Sequence, residues 1–128
     1  MLDTHIWLWS LLDPGKLNPR VLRALRLKTN ELWLSPISTW ELLVLVKKGR
    51  VTLDGDPQAW IDEALKCAPM TEAPLTHEIA RQSMRVKLPH QDPADRFLAA
   101  TAKVLNLLLV TADRRILRAR DIKTLANR

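Results

Sequence analysis

Four carboxylates, Asp3, Glu41, Asp95 and Asp113, carry the clearest capacity for chemistry in this chain. Each stands where a strand gives way to a helix or where a helix begins. Asp3 follows the apolar pair Met1-Leu2, and Glu41 closes the segment Ser38-Thr39-Trp40-Glu41. Asp95 follows Asp92-Pro93, and Asp113 stands two residues beyond the apolar run 107–111. Singly, each has an ordinary structural role: Asp3 and Asp113 as N-caps, Glu41 as the last member of an S-x-x-E capping box, Asp95 as a charge favoured by a helix dipole. As a set they resist that explanation. Two carboxylates ~5 Å apart at an effective dielectric of ~20 repel by roughly 3 kcal/mol, and four make six such pairs. Helix N-termini and raised pKa values relieve part of this, and a bound divalent cation relieves most of it. An all-oxygen donor set without paired histidines or thiolates suits magnesium or manganese better than zinc. Such an ion lowers the pKa of a bound water and steadies both oxygens of an in-line phosphoryl displacement.

Whether the four acids meet depends on the elements that carry them. Met1-Leu2-Asp3 has the pattern of the end of a short strand, and residues 4–12 follow as a helix closed by Asp13-Pro14-Gly15. Asn18-Pro19, a cap followed by proline at the first helical position, opens a second helix that runs to Leu27. Residues 32–35 form a short buried strand. The capping box at Ser38 and the stop signal Lys47-Lys48-Gly49 predict a helix over 39–48. Asp56 caps a helix through Trp60, Ile61 and Leu65, a weak strand spans 70–75, and Thr76 caps a helix carrying Ile79, Ala80 and Met84. Asp92-Pro93 opens a helix with Phe97, Leu98 and Ala102; residues 107–111 form the strongest strand, and 113–117 a last helical turn. Strands alternating with helices predict a parallel sheet covered on both faces. Right-handed crossovers bring the C-terminal ends of such strands to one edge, which is where ligands sit.

The 128 residues match one domain spanning 1–128. An apolar share of 47% and a charged share of 27% exclude a disordered chain and describe an ordinary globular one. The net charge of +6 favours polyanionic partners. No apolar run approaches the ~18 residues of a membrane span, and the opening acid lacks the basic flank of a signal peptide. The single cysteine, Cys67, rules out an intramolecular disulfide and is expected to be a small buried hydrophobe. A cytoplasmic location is expected.

Four segments resemble one family. Leu2-Asp3-Thr4-His5-Ile6-Trp7-Leu8-Trp9 resembles the "LDTHxxLW" opening of VapC-type PIN-domain toxins, and Ser38-Thr39-Trp40-Glu41 resembles their "SxWE". The run from His90 through Asp92, Asp95, Arg96 and Phe97 to Ala102 is similar to "HxDPxDRxLxAxA", and Val110-Thr111-Ala112-Asp113 to "VTxD". The segments occur in family order and span nearly the whole chain. The resemblance implies an α/β fold: a three-layer α/β/α PIN-like domain around a central parallel β-sheet. It implies an endoribonuclease using Mg2+ or Mn2+, a toxin held silent by a cognate antitoxin, and a homodimer. Asp3, Glu41, Asp95 and Asp113 match the acidic quartet, with Asp3 and Asp95 as principal metal ligands and Glu41 and Asp113 completing the set. Thr111 matches a position whose hydroxyl supports the metal site from behind. Two departures stand out: little apolar sequence precedes Asp3, which predicts a weak central strand, and residues 121–128 are more polar than a closing strand.

The remaining candidates divide between roles. Arg96 either orients a carboxylate or phosphate or makes a structural ion pair. Arg114 and Arg115, with Arg118 and Arg120, form either a solvated face or a set of RNA backbone contacts. His90 is expected to shape the loop into the Asp92 helix, with a lesser claim on the scissile phosphate, while His5 and His77 read as structural or solvated. Lys47, Lys48 and Arg50 complement a helix C-terminus. Trp7, Trp40 and Trp60 are expected in the core, and Trp9 and Trp33 have a lesser claim to line a groove for a partner helix. One rival is a catalytically silent module that binds RNA or an antitoxin without cleaving. Another, a phosphorelay receiver domain, needs an acidic pair after the first strand and a lysine after the last, and the chain has neither.

Overall fold

A computed structural model describes residues 1–89 and 91–128, so the expectation for His90 lies outside the described residues. Among the described residues there are four short strands: β1 (Trp33–Leu34), β2 (Thr71–Glu72), β3 (Leu109–Thr111) and β4 (Thr124–Ala126). β1 pairs in parallel with β2, and β3 with β4. The segment Met1–Asp3 joins the two halves. Leu2 N–H donates to the Trp33 carbonyl at 3.0 Å, while Asp3 N–H donates to Val110 O and Val110 N–H to Met1 O, both at 2.9 Å. The result is two parallel two-stranded sheets, β1-β2 and β3-β4, linked by segment 1–3 lying between β1 and β3. The first strand is stunted as expected: Leu2 makes one isolated parallel bridge to Val110, although Met1, Leu2 and Asp3 are all buried and hydrogen-bonded to the segments on either side.

Side-chain alternation along these strands creates the layers. Met1 and Leu109 point to one face, where α5 (His77–Ser83), α6 (Pro93–Val104) and α7 (Arg114–Leu117) supply Ile79, Leu98 and Ile116. Leu2 and Val110 point to the other, against α1 (Thr4–Leu12), α2 (Pro19–Arg26), α3 (Pro36–Lys47) and α4 (Pro57–Cys67), which contribute Trp7, Val21, Leu42 and Ile61. This is the three-layer α/β/α arrangement. Among the described residues no helix is long and apolar enough to cross a membrane.

Helix starts follow the caps in the sequence. Asn18, Asp56, Thr76 and Asp92 each accept the backbone N–H three residues on. α3 is the exception. It begins at Pro36 under a cap from Ser35, whose Oγ accepts from Ile37 N–H at 3.1 Å. Proline at the first position with serine before it is the same signal as Asn18-Pro19, and it outcompetes the box at Ser38. Glu41 thereby moves from the first helical turn to the second. Ser38 and Leu42, four residues apart, take the buried face, so Trp40 between them is 53% exposed and not core.

Two further expectations change. Cys67 is exposed, in a last turn of α4 that has passed beyond the buried Ile61 and Ala64, and its Sγ lies 3.3 Å from Glu63 Oε1. The polar tail does form a closing strand, β4. Its follower Asn127 is buried: the backbone N–H donates to Thr111 O, the side-chain Oδ1 accepts from Asn18 N–H, and Nδ2 donates to Lys16 O. Its polarity is spent tying the sheet edge to the start of α2.

Candidate active site

Asp3 is the last residue of its strand and the N-cap of α1, with extended backbone. Its Oδ1 accepts from Thr4 N–H at 2.7 Å and its Oδ2 from the Thr111 hydroxyl at 2.6 Å. Only 6% of it is exposed. Burial pushes its pKa up, the Thr111 hydroxyl opposes the shift, the negative charge of Asp95 adds to it, and His5 reduces it. Thr111 ends β3 and also accepts from Asp113 N–H at 3.0 Å, so one hydroxyl aligns two of the acids.

Glu41 reaches the same place from α3. Thr4 Oγ1 lies 2.6 Å from Glu41 Oε1 and 2.9 Å from Ser38 Oγ. Having a single proton, the threonine gives it to the carboxylate and accepts from the serine. Burial raises the Glu41 pKa, the Thr4 hydroxyl opposes that, and the charges of Asp3, Asp95 and Asp92 raise it further.

Asp95 sits in the first turn of α6, 9% exposed, its N–H held by Asp92 Oδ1 at 3.1 Å. Asp113 caps α7 by accepting from Arg115 N–H at 2.8 Å. The Arg115 guanidinium lies against Asp113, with contacts of 3.2 Å from Nε and 2.9 Å from Nη2, and its Nη2 is 3.9 Å from Asp95 Oδ2. All four acids line one open cleft of about 320 Å³, shared with Asp92, His5, Trp9 and Arg115.

The structure also separates residues that adjoin in sequence. Arg96, next to Asp95, is 8% exposed and turned away from the cleft into the α5–α6 connection. Its Nε donates to Ser83 O at 2.8 Å, and Nη2 to Val86 O at 2.9 Å and to Met84 O at 3.5 Å. A guanidinium committed to main-chain carbonyls under the surface offers no face to RNA. Arg114 is exposed. Sequence reasoning missed Thr4 and Ser38 as supports of Glu41: Ser38 was read as part of a capping box, and no local pattern connects Thr4 to a residue 37 positions away. It also treated Asp92 only as a cap, although its spacing from Asp95, three residues within one helical turn, places both on the cleft.

Among the described residues, no three His, Cys, Asp or Glu side chains are drawn close enough to enclose an ion as they stand. The donor chemistry nevertheless fits a hard divalent cation. The acids present oxygen only, and two of them, Asp3 and Glu41, are pushed toward protonation by burial and by the neighbouring charges. The chain already answers part of that excess negative charge with Arg115.

The sequence matches the family described as PIN domain over residues 1–122. It is 30% identical over 119 residues to Ribonuclease VapC22 of Mycobacterium tuberculosis, covering 91% of this chain and 88% of that protein. The fold is similar to VapBC2 from Rickettsia felis bound to a promoter DNA fragment, with a TM-score of 0.71, 20% identity and coverage of 100% and 98% of the two chains. It is also similar to VapBC-5 of Mycobacterium tuberculosis, a member of the VapBC family of toxin–antitoxin systems, with a TM-score of 0.58, 20% identity and coverage of 98% and 95%. With its fold, its ordered acidic segments and these likenesses, the chain belongs to the PIN-domain family, among the VapC-type members.

Proposed function

We propose that the chain is an endoribonuclease dependent on Mg2+ or Mn2+, and the toxin of a toxin–antitoxin pair. The observation that supports this most is the meeting of Asp3, Glu41, Asp95 and Asp113, from four separated segments, in one cleft. The names of the relatives agree with it. Asp3 and Asp95 would hold the principal ion, with Glu41 and Asp113 completing the set. Such an ion would supply a water of lowered pKa and positive charge against the negative charge that builds on the phosphate.

The chain's own residues do the rest. Thr111 and the Thr4 N–H fix both oxygens of Asp3, and Thr4 Oγ1 fixes Glu41, so the carboxylates are oriented before substrate arrives. Arg115 is half-exposed at the cleft and is placed to exchange its carboxylate partners for a phosphate. The net charge of +6 draws RNA toward a cleft that is itself acidic. A cognate antitoxin and a second copy of the chain are the proposed protein partners, the latter checked by light scattering on the purified chain.

The test is cleavage of single-stranded RNA by the purified chain with Mg2+ or Mn2+ against chelator, beside Asp95→Asn. Metal-dependent cutting that Asp95→Asn loses is expected. No cutting at any metal concentration would overturn the proposal and leave the silent module, and equal cutting by the variant would overturn the proposed site.

Two substitutions probe the supports. Thr111→Val keeps the side-chain shape but removes the hydroxyl shared by Asp3 and the Asp113 N–H. Loss of such an outer contact costs about 10–100-fold in cleavage or metal affinity. Manganese binding followed by calorimetry should weaken in parallel, and unchanged binding would deny Thr111 its role. Arg115→Ala removes the resident cation, so manganese should bind severalfold more tightly while RNA binds more weakly. Looser binding of both would show that Arg115 only holds α7 in place.

A further inference from the structure

We propose that His5 and Trp9 form a stacking wall for one unpaired nucleobase of the substrate strand, with Lys16 meeting a phosphate of the same strand; this rests on the ribonuclease reading. Both rings line the cleft that holds the acids. Their centroids are 5.9 Å apart with planes inclined at 56°. Both belong to α1, which starts at Asp3, so the wall and the first carboxylate are joined by a single rigid helix. The helix divides its two tryptophans: Trp7 is fully buried under the sheet, while Trp9 stays partly open beside the exposed His5.

Lys16 Nζ stands 5.6 Å from the centre of the Trp9 ring. Its other partner, Asp13 at 3.9 Å, is also more than half exposed, and such a pair holds a lysine only weakly. An aromatic face with a loosely held cation beside it is the combination that single-stranded nucleic acid recognition uses.

The charge of the cleft gives such a contact its value. A phosphodiester approaching five carboxylates is repelled except where a bound ion, Arg115 or Lys16 meets it, so seating the strand gains from a contact that does not depend on charge. Stacking is such a contact. It also selects the form of the RNA, because only an unpaired base presents a free face, while bases in a duplex are stacked on each other.

The experiment uses the full chain carrying Asp95→Asn, so that bound RNA is not cut. The probe is a fluorescein-labelled single-stranded 12-mer, compared with a blunt duplex of the same sequence, and dissociation constants are taken by anisotropy over a series of salt concentrations. Adding Trp9→Ala should weaken single-strand binding about tenfold at every salt concentration, with the salt slope unchanged and duplex binding unaffected. Trp9→Phe should restore most of the loss. Lys16→Ala should instead lower the salt slope by about 0.7, the share of one phosphate contact on a single strand. The proposal is overturned if Trp9→Ala binds single strands like its parent, which would leave the ring to a helical protein partner. It is also overturned if single strands and duplex weaken alike, or if Phe is no better than Ala. Cleavage with Asp95 restored is scored separately. Cutting with Trp9-independent binding sinks the stacking wall alone, and Trp9-dependent binding without any cutting sinks the nuclease reading alone.

Discussion

Asp3→Asn is expected to abolish metal-dependent cleavage while making the metal-free protein more stable at neutral pH. The loss of activity should reach about a thousandfold, the upper range for removing one preorganised charge-handling group from an active site. The gain in stability follows from the direction of the pKa shifts. Asp3 and Glu41 are both raised above their ordinary values of 3.8 and 4.5. The folded chain thus holds those protons more tightly than the unfolded one. That contribution is fully present below the ordinary values and is lost as pH rises through the raised ones. Above that window the native state carries buried like charges that it would be more stable without. Asparagine keeps an oxygen for Thr4 N–H, removes the charge from the most buried position, and relieves Glu41 of one repelling neighbour. Thermal melts from pH 4 to 8, with chelator and with Mn2+, check both halves. The parent should lose stability with rising pH in chelator and regain it with metal, and the variant should show both effects more weakly, keeping only the share that Glu41 contributes. A variant that melts lower than its parent at pH 7 would refute the electrostatic account, and one that still cuts would refute the site.

Arg96→Ala should cost about 3 kcal/mol of stability, because it leaves buried main-chain carbonyls without their donor. For a chain of this size that lowers the melting temperature by roughly 10 °C. The acceptors at Ser83, Met84 and Val86 belong to the end of α5 and the loop behind it, and α6 carries Asp95. Arg96 is therefore a rivet between the element that bears the acid and the element before it. Arg96→Lys should recover little, since a single ammonium cannot span a fork of carbonyls. Below its melting point the alanine variant should bind RNA within a fewfold of its parent. Reduced RNA affinity with an unchanged melting temperature would mean instead that the guanidinium faces substrate.

The contrast between Arg96 and Arg115 shows how far the sequence could be read. Both follow an acid of the quartet closely, and both were candidates for RNA contact. Arg96 lies within α6, where a one-residue step turns a side chain about 100° around the axis, and that turn carries it from the cleft to the interior. Arg115 lies in a short exposed helix whose cap is Asp113 itself, so its guanidinium folds back on the acid. Both arginines stand within two residues of an acid; what differs is the element each lies in.

Glu41 teaches a related lesson. Its membership of the site was legible from the segment it occupies, but its manner of arrival was not. Two cap signals overlapped, Ser35-Pro36 and Ser38 with Glu41, and the proline decided between them by fixing backbone geometry at the first helical position. With the start moved, Glu41 was released from the backbone to meet Thr4, 37 residues away in sequence. In the same way the short first segment links the two halves of the sheet through hydrogen bonds with Trp33 and Val110, which no local pattern connects to it.

By itself the sequence determined the order of strands and helices, most helix starts, the parallel sheet and the identity of the four acids, because caps, prolines and apolar periodicity act within a few residues of where they stand. Only the tertiary structure decided which cap prevailed at α3, which tryptophan faced the cleft, that Cys67 stayed in solvent, and which arginine met the acids. Those outcomes depend on which side of each helix the sheet covers, and that is settled by contacts between residues far apart along the chain.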